Sequence, residues 1–256
     1  MRKTAAPLDP GSVIRHPQSA HVLIISDLHL SADHTDSMAA FLHFITKIAP
    51  QADALYILGD LFEYWAGDDD LHDPFHQLIV NALSSLSNAK TKVYMMRGNR
   101  DLLMGEALSQ ACKATLLSDP TLIDLYGKST LLSHGDILCT DDHEYQQFRK
   151  QVHSPEFQRD FLSRPLSDRK SYIEQLRQQS CDEKQTKASA IMDVNDTAVA
   201  ALLREYHYPR LIHGHTHRPK RHVHAVDGHL CERWVLSDWN PAATALKCDE
   251  QGCQMI

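Results

Sequence analysis

Residues 21–29 read His21-Val22-Leu23-Ile24-Ile25-Ser26-Asp27-Leu28-His29, an apolar run that halts at a carboxylate and an imidazole two positions apart. The run has the pattern of a buried strand. Its abrupt polar stop recurs four more times: Gly59-Asp60 after 54–58, Gly98-Asn99-Arg100-Asp101 after 92–96, His134-Gly135-Asp136 after 130–133, and His213-Gly214-His215-Thr216-His217 after 210–212. Amphipathic stretches with helical spacing lie between them at 37–49, 74–86 and 101–112, and 141–206 is predominantly helical. Further strand-like runs fall at 122–126, 222–226 and 233–236. Strands alternating with helices predict an α/β layered core. In such sheets the carboxyl ends of strands border the ligand crevice, so the five polar clusters are expected to meet in one site.

The chain has 256 residues, 43% hydrophobic and 23% charged, a composition that excludes global disorder. Its net charge of −7 argues against bulk attraction to nucleic acid. No apolar run approaches the roughly 20 residues of a membrane-spanning helix. Residues 1–20, with Pro7, Pro10, Gly11 and Pro17, lack the apolar stretch of an export signal and read as a flexible, uncleaved extension before a single domain at 21–256. The six dispersed cysteines, with no CxxC pair, are expected to be reduced. The successive intervals Asp27 to Asp60, Asp60 to Asn99 and Asn99 to His134 are 33, 39 and 35 residues, whereas 81 separate His134 from His215. The excess is expected to form a helical lid at 145–195, inserted beside the site.

Asp27, His29, Asp60, Asn99, His134, His215 and His217 form a mixed oxygen and nitrogen donor set without thiolate, suited to Mn²⁺, Fe or Zn²⁺. Seven ligands exceed what one catalytic ion with an open position uses. They suit two ions sharing a carboxylate, for which Asp60 is the bridging candidate. One such histidine alone is more often a surface or satisfied core residue. Five clusters, each ending an apolar run, make the metal reading the stronger one.

D-x-H, G-D, G-N-x-[D/E], H-G and G-H-x-H in this order resemble the motif set of the calcineurin-like metallophosphoesterases over residues 21–240. The resemblance implies a sandwich of two β-sheets flanked by helices, with one ion on Asp27, His29, Asp60 and His217 and the other on Asp60, Asn99, His134 and His215. Arg100 stands where many members have His. Arginine cannot donate a proton at working pH but holds phosphate oxygens bidentately, which suits a phosphate leaving group. Tyr56 to Glu63, Gly67 to Asp70, Leu138 to Asp142, Ile191 to Asn195 and Ile212 to Pro219 are similar to the UDP-2,3-diacylglucosamine diphosphatases of lipid A biosynthesis.

That similarity implies two Mn²⁺ ions per subunit and water attack on the α-phosphorus, giving UMP and 2,3-diacylglucosamine 1-phosphate. It places Asp60, Asn99, Arg100 and His215 in catalysis. Substrate contacts are implied for Asn99, Arg100, His134, Asp142, Ser180, Lys184, Lys187 and His215, although Lys184 stands where relatives have Asn. The implied location is cytoplasmic, peripheral on the inner membrane, with no nucleic-acid or obligate protein partner. Another nucleotide diphosphate or a phosphodiester as substrate, and a metal-free scaffold of the same fold, are the rival readings.

Between 145 and 180 lie seven basic and four acidic residues, interleaved with Phe148, Phe157, Phe161, Tyr172, Ile173 and Leu176. Periodicity alone fits an ordinary amphipathic layer. The resemblance favours an acyl-chain groove and an anionic membrane contact. Asp68-Asp69-Asp70 reads as a solvated loop, with a supporting role left open by its nearness to Asp60. His222, His224 and His229 read as surface residues, and Trp234 and Trp239 as packing.

Overall fold

The computed structural model describes residues 13–16, 21–186, 193–239 and 242–256, with 179–186 described by backbone alone. The opening apolar run forms strand β1 (Val22–Ile25), buried at every position. Leu23 and Ile25 enter one apolar cluster with Leu55 and Ile57, while Val22 and Ile24 enter another with Tyr56 and Leu58. A strand covered on both faces needs apolar residues at successive positions, which is why the sequence shows a continuous run instead of alternation. Strands β2 (Ala54–Leu58), β3 (Lys92–Met96) and β4 (Thr115–Leu117) continue the sheet in parallel. The second sheet is built from β5 (Thr121–Leu125), β6 (Lys128–Ser133), β7 (Arg210–His213), β8 (Lys220–Val226) and β9 (His229–Val235), with β6, β7 and β9 parallel. A C-terminal hairpin, β10 (Leu246–Asp249) and β11 (Gly252–Met255), adds to the first sheet antiparallel to β1.

The sheets pack face to face through Tyr56, Leu58, Tyr94 and Met96 against Ile123, Leu132, Ile212 and Leu236. Helices α1 (Thr35–His43), α2 (Pro74–Asn88) and α3 (Glu106–Ala111) cover the outer face of the first sheet. Pro74 sits at the start of α2, where its missing N–H costs nothing, and the Asp73 carboxylate caps the helix by accepting from Phe75 N at 2.9 Å. The long interval holds α4 (His143–Val152), α5 (Pro155–Leu162), α6 (Leu166–Thr186) and α7 (Asp196–Glu205). Of these, α7 covers the outer face of the second sheet through Val199 and Leu203. The expected layered sandwich of two sheets flanked by helices is the fold found.

Three expectations need correction, and three strands had no sequence signal. The helix expected from 101 starts only at Glu106, because the Asp101 carboxylate accepts backbone N–H groups from Gly98 at 2.8 Å and Leu61 at 2.8 Å and so holds its segment as a loop. Strands β4, β10 and β11 are three or four residues long, too short to show a period. Cys248 and Cys253, expected to be reduced, are joined by a disulfide, since the hairpin register sets them directly opposite with Cα atoms 4.2 Å apart. The run Asp68 to Asp70 is no solvated loop. Asp68 accepts from Trp65 Nε1 at 3.0 Å, Gly105 N at 2.9 Å and Leu108 N at 3.1 Å, and buried Asp70 pairs with Lys170 Nζ at 2.7 Å.

This acidic loop is where α6 is anchored. Buried Arg169 donates to Ala66 O at 2.5 Å and pairs with Asp69, and Lys170 also reaches Asp73 at 3.6 Å. Of the 1–20 extension, residues 13–16 are held by Asp124 N donating to Ile14 O at 3.0 Å and by His16 Nε2 lying 2.6 Å from the Tyr56 hydroxyl. The remainder lies outside the described residues.

Replacing Asp68 by Ala leaves three donors without their acceptor. The expected outcome is a loss of about 2 kcal/mol or more in unfolding free energy, seen as a lower urea midpoint at an unchanged slope. An unshifted midpoint would count against Asp68 as a structural hub.

Candidate metal centre

Parallel pairing of β1, β2 and β3, and of β6 with β7, brings the carboxyl ends of five strands to one rim where the two sheets meet. Backbone and side chains stitch the rim across the sheets. Gly214 N donates to His134 O at 2.9 Å within the second sheet, and across to the first His215 N donates to Asp27 Oδ2 at 2.9 Å and His134 Nδ1 lies 2.9 Å from Leu58 O. The approach is so close that a Cβ on Gly98 would collide with the Asp60 carboxylate, and one on Gly214 with Ser26 and Asp27. Asp27, His29, Asp60, His215 and His217 all take the left-handed backbone region, with φ of 56°, 48°, 52°, 68° and 53°. Each such residue costs of order 1–3 kcal/mol, and strain of this kind concentrates at functional sites.

All seven expected ligands come together. Ligand atoms of Asp27, His29 and His217 lie within 4.8 Å of one another, as do those of Asp27, Asp60 and His134. Asp60 stands between the two histidine groups, its Oδ2 3.9 Å from His29 Nε2 and its Oδ1 3.8 Å from His134 Nε2. Asn99 Oδ1 lies 2.9 Å from both His134 Nε2 and His215 Nδ1. The donor set fits divalent cations on two independent observations. Fully buried Asp27 has an oxygen, Oδ1, with no hydrogen-bond partner. Three imidazoles turn Nδ1 outward to an oxygen, leaving Nε2 for the interior: His134 lies at hydrogen-bond distance from Leu58 O, while His29 faces Glu63 at 3.2 Å and His217 faces Asp238 at 3.5 Å as ion-pair contacts. That outward contact is how metal-binding histidines are oriented.

The electrostatics agree. Burial opposes charge on His134, but the Asp60, Asp27 and Asp136 carboxylates outweigh it and raise the imidazole to about 10. Burial, reinforced by His134, lowers His215 to about 4. Burial raises Asp101 to about 6 with help from Asp60, against the backbone donors that favour its anion. Burial also raises Glu63, yet His29, Arg100 and Arg177 prevail and hold it at about 2. The centre is rich in carboxylate and draws positive charge to itself.

Glu63, Asp101 and Asp136 lie within motifs of the sequence that assign them no role, and Asp238 lies in none of the motifs. Asp136 accepts from the Tyr145 hydroxyl and from Arg149 Nε, both at 2.7 Å, and the Tyr145 ring stacks on His215 with centroids 5.8 Å apart. For Glu63, Asp101 and Asp136 the available signal was a carboxylate two or three residues past Asp60, Asn99 and His134; Asp238, 21 residues beyond His217, had none. Arg100 donates its backbone N–H to Asp60 Oδ1 at 2.8 Å, and its side chain borders a cavity of about 630 Å³ together with Asn99, His215 and Asp142. Asp142 also caps α4 by accepting from Tyr145 N at 3.1 Å. Lys187 and the side chains of Ser180 and Lys184 lie outside what is described.

Phe148, Phe157, Phe161, Tyr172, Ile173 and Leu176 of α4 to α6 line the same cavity. Most basic residues of this stretch are paired: Arg149 with Asp136, Arg169 with Asp69, Lys170 with Asp70, Arg177 with Glu63 and Glu174, and, at the surface, Arg164 with Asp160. His222 and His224 lie on β8 and His229 opens β9, and among the described residues none of the three is in a group of ligand atoms with the seven expected ligands. Trp239 is buried against Phe41 and Phe44.

The profile of the calcineurin-like phosphoesterases matches residues 20–219. A protein of Aromatoleum aromaticum that carries the name UDP-2,3-diacylglucosamine hydrolase is 54% identical over 230 residues, 90% of this chain and 94% of its own. Proteins of the same name from Chromohalobacter salexigens and Edwardsiella ictaluri are 48% and 45% identical, over 86% and 91% of this chain and 89% and 90% of theirs.

Calorimetric titration of the metal-stripped protein with Mn²⁺ is expected to show two ions per chain. Asp60→Ala should weaken uptake by more than the roughly 10–100-fold that loss of an outer-shell partner costs. Unchanged two-ion binding in that variant would remove Asp60 from the centre.

Proposed function

Because the chain belongs to the calcineurin-like phosphoesterase family, we propose that it hydrolyses the pyrophosphate bond of UDP-2,3-diacylglucosamine, a precursor of lipid A, releasing UMP and 2,3-diacylglucosamine 1-phosphate. It is a metal-dependent hydrolase. The observation that carries the reading is the junction of a seven-residue oxygen and nitrogen ligand cluster with a 630 Å³ cavity lined by aromatic and aliphatic side chains. A cavity of that size and lining suits acyl chains, and the names of the relatives point to the same substrate. Helices α4 to α6 then act as the lid expected at 145–195.

Asp27, His29, Asp60 and His217 would hold one ion and Asp60, Asn99, His134 and His215 the other. The ions would supply Lewis acidity that activates water and offsets phosphoryl charge. Mn²⁺ is our choice, on a donor set without thiolate.

The chain's own residues do the rest. Arg100, permanently protonated, presents a planar fork to phosphoryl oxygens and stabilises the charge that builds as the P–O bond breaks. Attack on the α-phosphorus expels a phosphate, which leaves as an anion and needs no proton, so an arginine serves where an alkoxide leaving group would call for an acid. Asn99 and His215 border the same cavity and complete the polar wall. Acyl chains gripped by the lid supply remote binding energy that positions the pyrophosphate. Asp142, Ser180, Lys184 and Lys187 are proposed as further substrate contacts.

No helix among the described residues is long and apolar enough to cross a membrane. We place the protein peripherally on the cytoplasmic face of the inner membrane. The diacylated substrate and the exposed Phe148 and Leu162 of the lid support that placement. The lid's net positive charge supports it less than the sequence suggested, since most of it is paired.

Turnover of UDP-2,3-diacylglucosamine in ¹⁸O-water should require added Mn²⁺ and put the label in UMP. Arg100→Lys should lower kcat by about 10²–10³-fold. Label in the lipid phosphate would overturn attack at the α-phosphorus, and equal efficiency on a UDP-sugar without acyl chains would overturn the lipid substrate.

A further inference from the structure

Glu63 sits three residues past Asp60, at the start of the segment on which α6 is anchored. One carboxylate oxygen, Oε2, faces His29 Nδ1 at 3.2 Å. The other, Oε1, is 3.0 Å from Arg177 Nη2 and 3.2 Å from Arg177 Nε, and Arg100 Nη1 lies 3.8 Å away. Glu63 thus touches a side chain of the metal centre, the arginine assigned to phosphate, and the lid helix at once. Asp238 and Leu58 O, which face the outward nitrogens of His217 and His134, have no such contact with α6 among the described residues.

We propose that Glu63 is a positioning residue that couples the seating of lid helix α6 to the metal centre, holding the His29 ring with Nε2 inward while Arg177 holds Glu63. The inference rests on the metal-centre reading above. Its physical content is a chain of three links. Arg177 fixes the Glu63 carboxylate in a fork, the carboxylate accepts the His29 Nδ1 proton and so selects one tautomer, and that tautomer leaves Nε2 as a free lone pair for an ion. A shift of α6 would loosen the fork and with it the ligand. Arg100 shares the same carboxylate, so its guanidinium is held beside the cavity before an anionic substrate arrives.

The test is Mn²⁺ titration of the metal-stripped full chain, with folding checked by circular dichroism. Glu63→Gln keeps the volume and should weaken Mn²⁺ binding by about 10–100-fold. Arg177→Gln, on a helix that carries none of the seven ligands, should weaken binding in the same direction by less, and the double variant should be no worse than Glu63→Gln alone. In ¹⁵N-histidine spectra the protonated Nδ1 of His29 should be evident in the parent and diminished in Glu63→Leu.

Parent-like affinity in folded Glu63→Gln would overturn the proposal, as would additive losses, which mean that Arg177 acts apart from Glu63. If Glu63→Gln folds poorly, Arg177→Gln decides alone, since unchanged affinity there breaks the link to the lid. The titration needs no substrate, so a wrong substrate and a wrong role for Glu63 give different results.

Discussion

Negative charge buried at the junction of the two sheets is the constraint around which this protein is organised. Asp27, Asp60, Asp101 and Asp136 are each almost wholly withdrawn from water, and an uncompensated buried carboxylate would protonate or unfold its surroundings. Each is answered differently. Asp101 is spent on backbone N–H groups that shape the loops after β2 and β3, and Asp136 on Tyr145 and Arg149. Asp27 and Asp60 are only partly answered, by Ser26 and by backbone donors of His215 and Arg100. What remains raises His134 to about 10 and defines a centre that cations complete.

Holding those groups together has a conformational cost, visible as left-handed backbone at five of the seven ligands. The flanking strands over-determine these residues. β1, β2, β6 and β7 are buried and hydrogen-bonded up to the residue or two before each polar cluster, so the chain has no freedom to relax the turn. Rigid strands that end in strained turns give a preorganised site, which catalysis by electrostatic stabilisation requires. The same logic extends outward through Glu63 to α6, where the acidic loop at 68–73 clasps Arg169 and Lys170.

The seven metal-site residues were legible because each follows an apolar run, and strand ends in α/β proteins have only one place to meet. The carboxylates behind them were not, since Glu63, Asp136 and Asp238 look like any acidic residue until a fold sets an imidazole or guanidinium beside them. Asp68 to Asp70 misled for the same reason. Three consecutive carboxylates read as solvated, and only the docking of α6 and of the loop before α3 brings them their donors.

By itself, then, the sequence determined the layered fold, the strand ends and the identity of the residues at the rim, because periodicity and abrupt polarity are local properties of the chain. Only the tertiary structure decided which carboxylate serves which histidine, that the lid's positive charge is mostly paired, and that Cys248 meets Cys253. Those facts depend on distances between residues that can lie far apart in the chain, 114 positions for Arg177 and Glu63 and 188 for His215 and Asp27. Electrostatic and hydrogen-bonding energies fall off with distance in space, and no pattern along the chain records that distance.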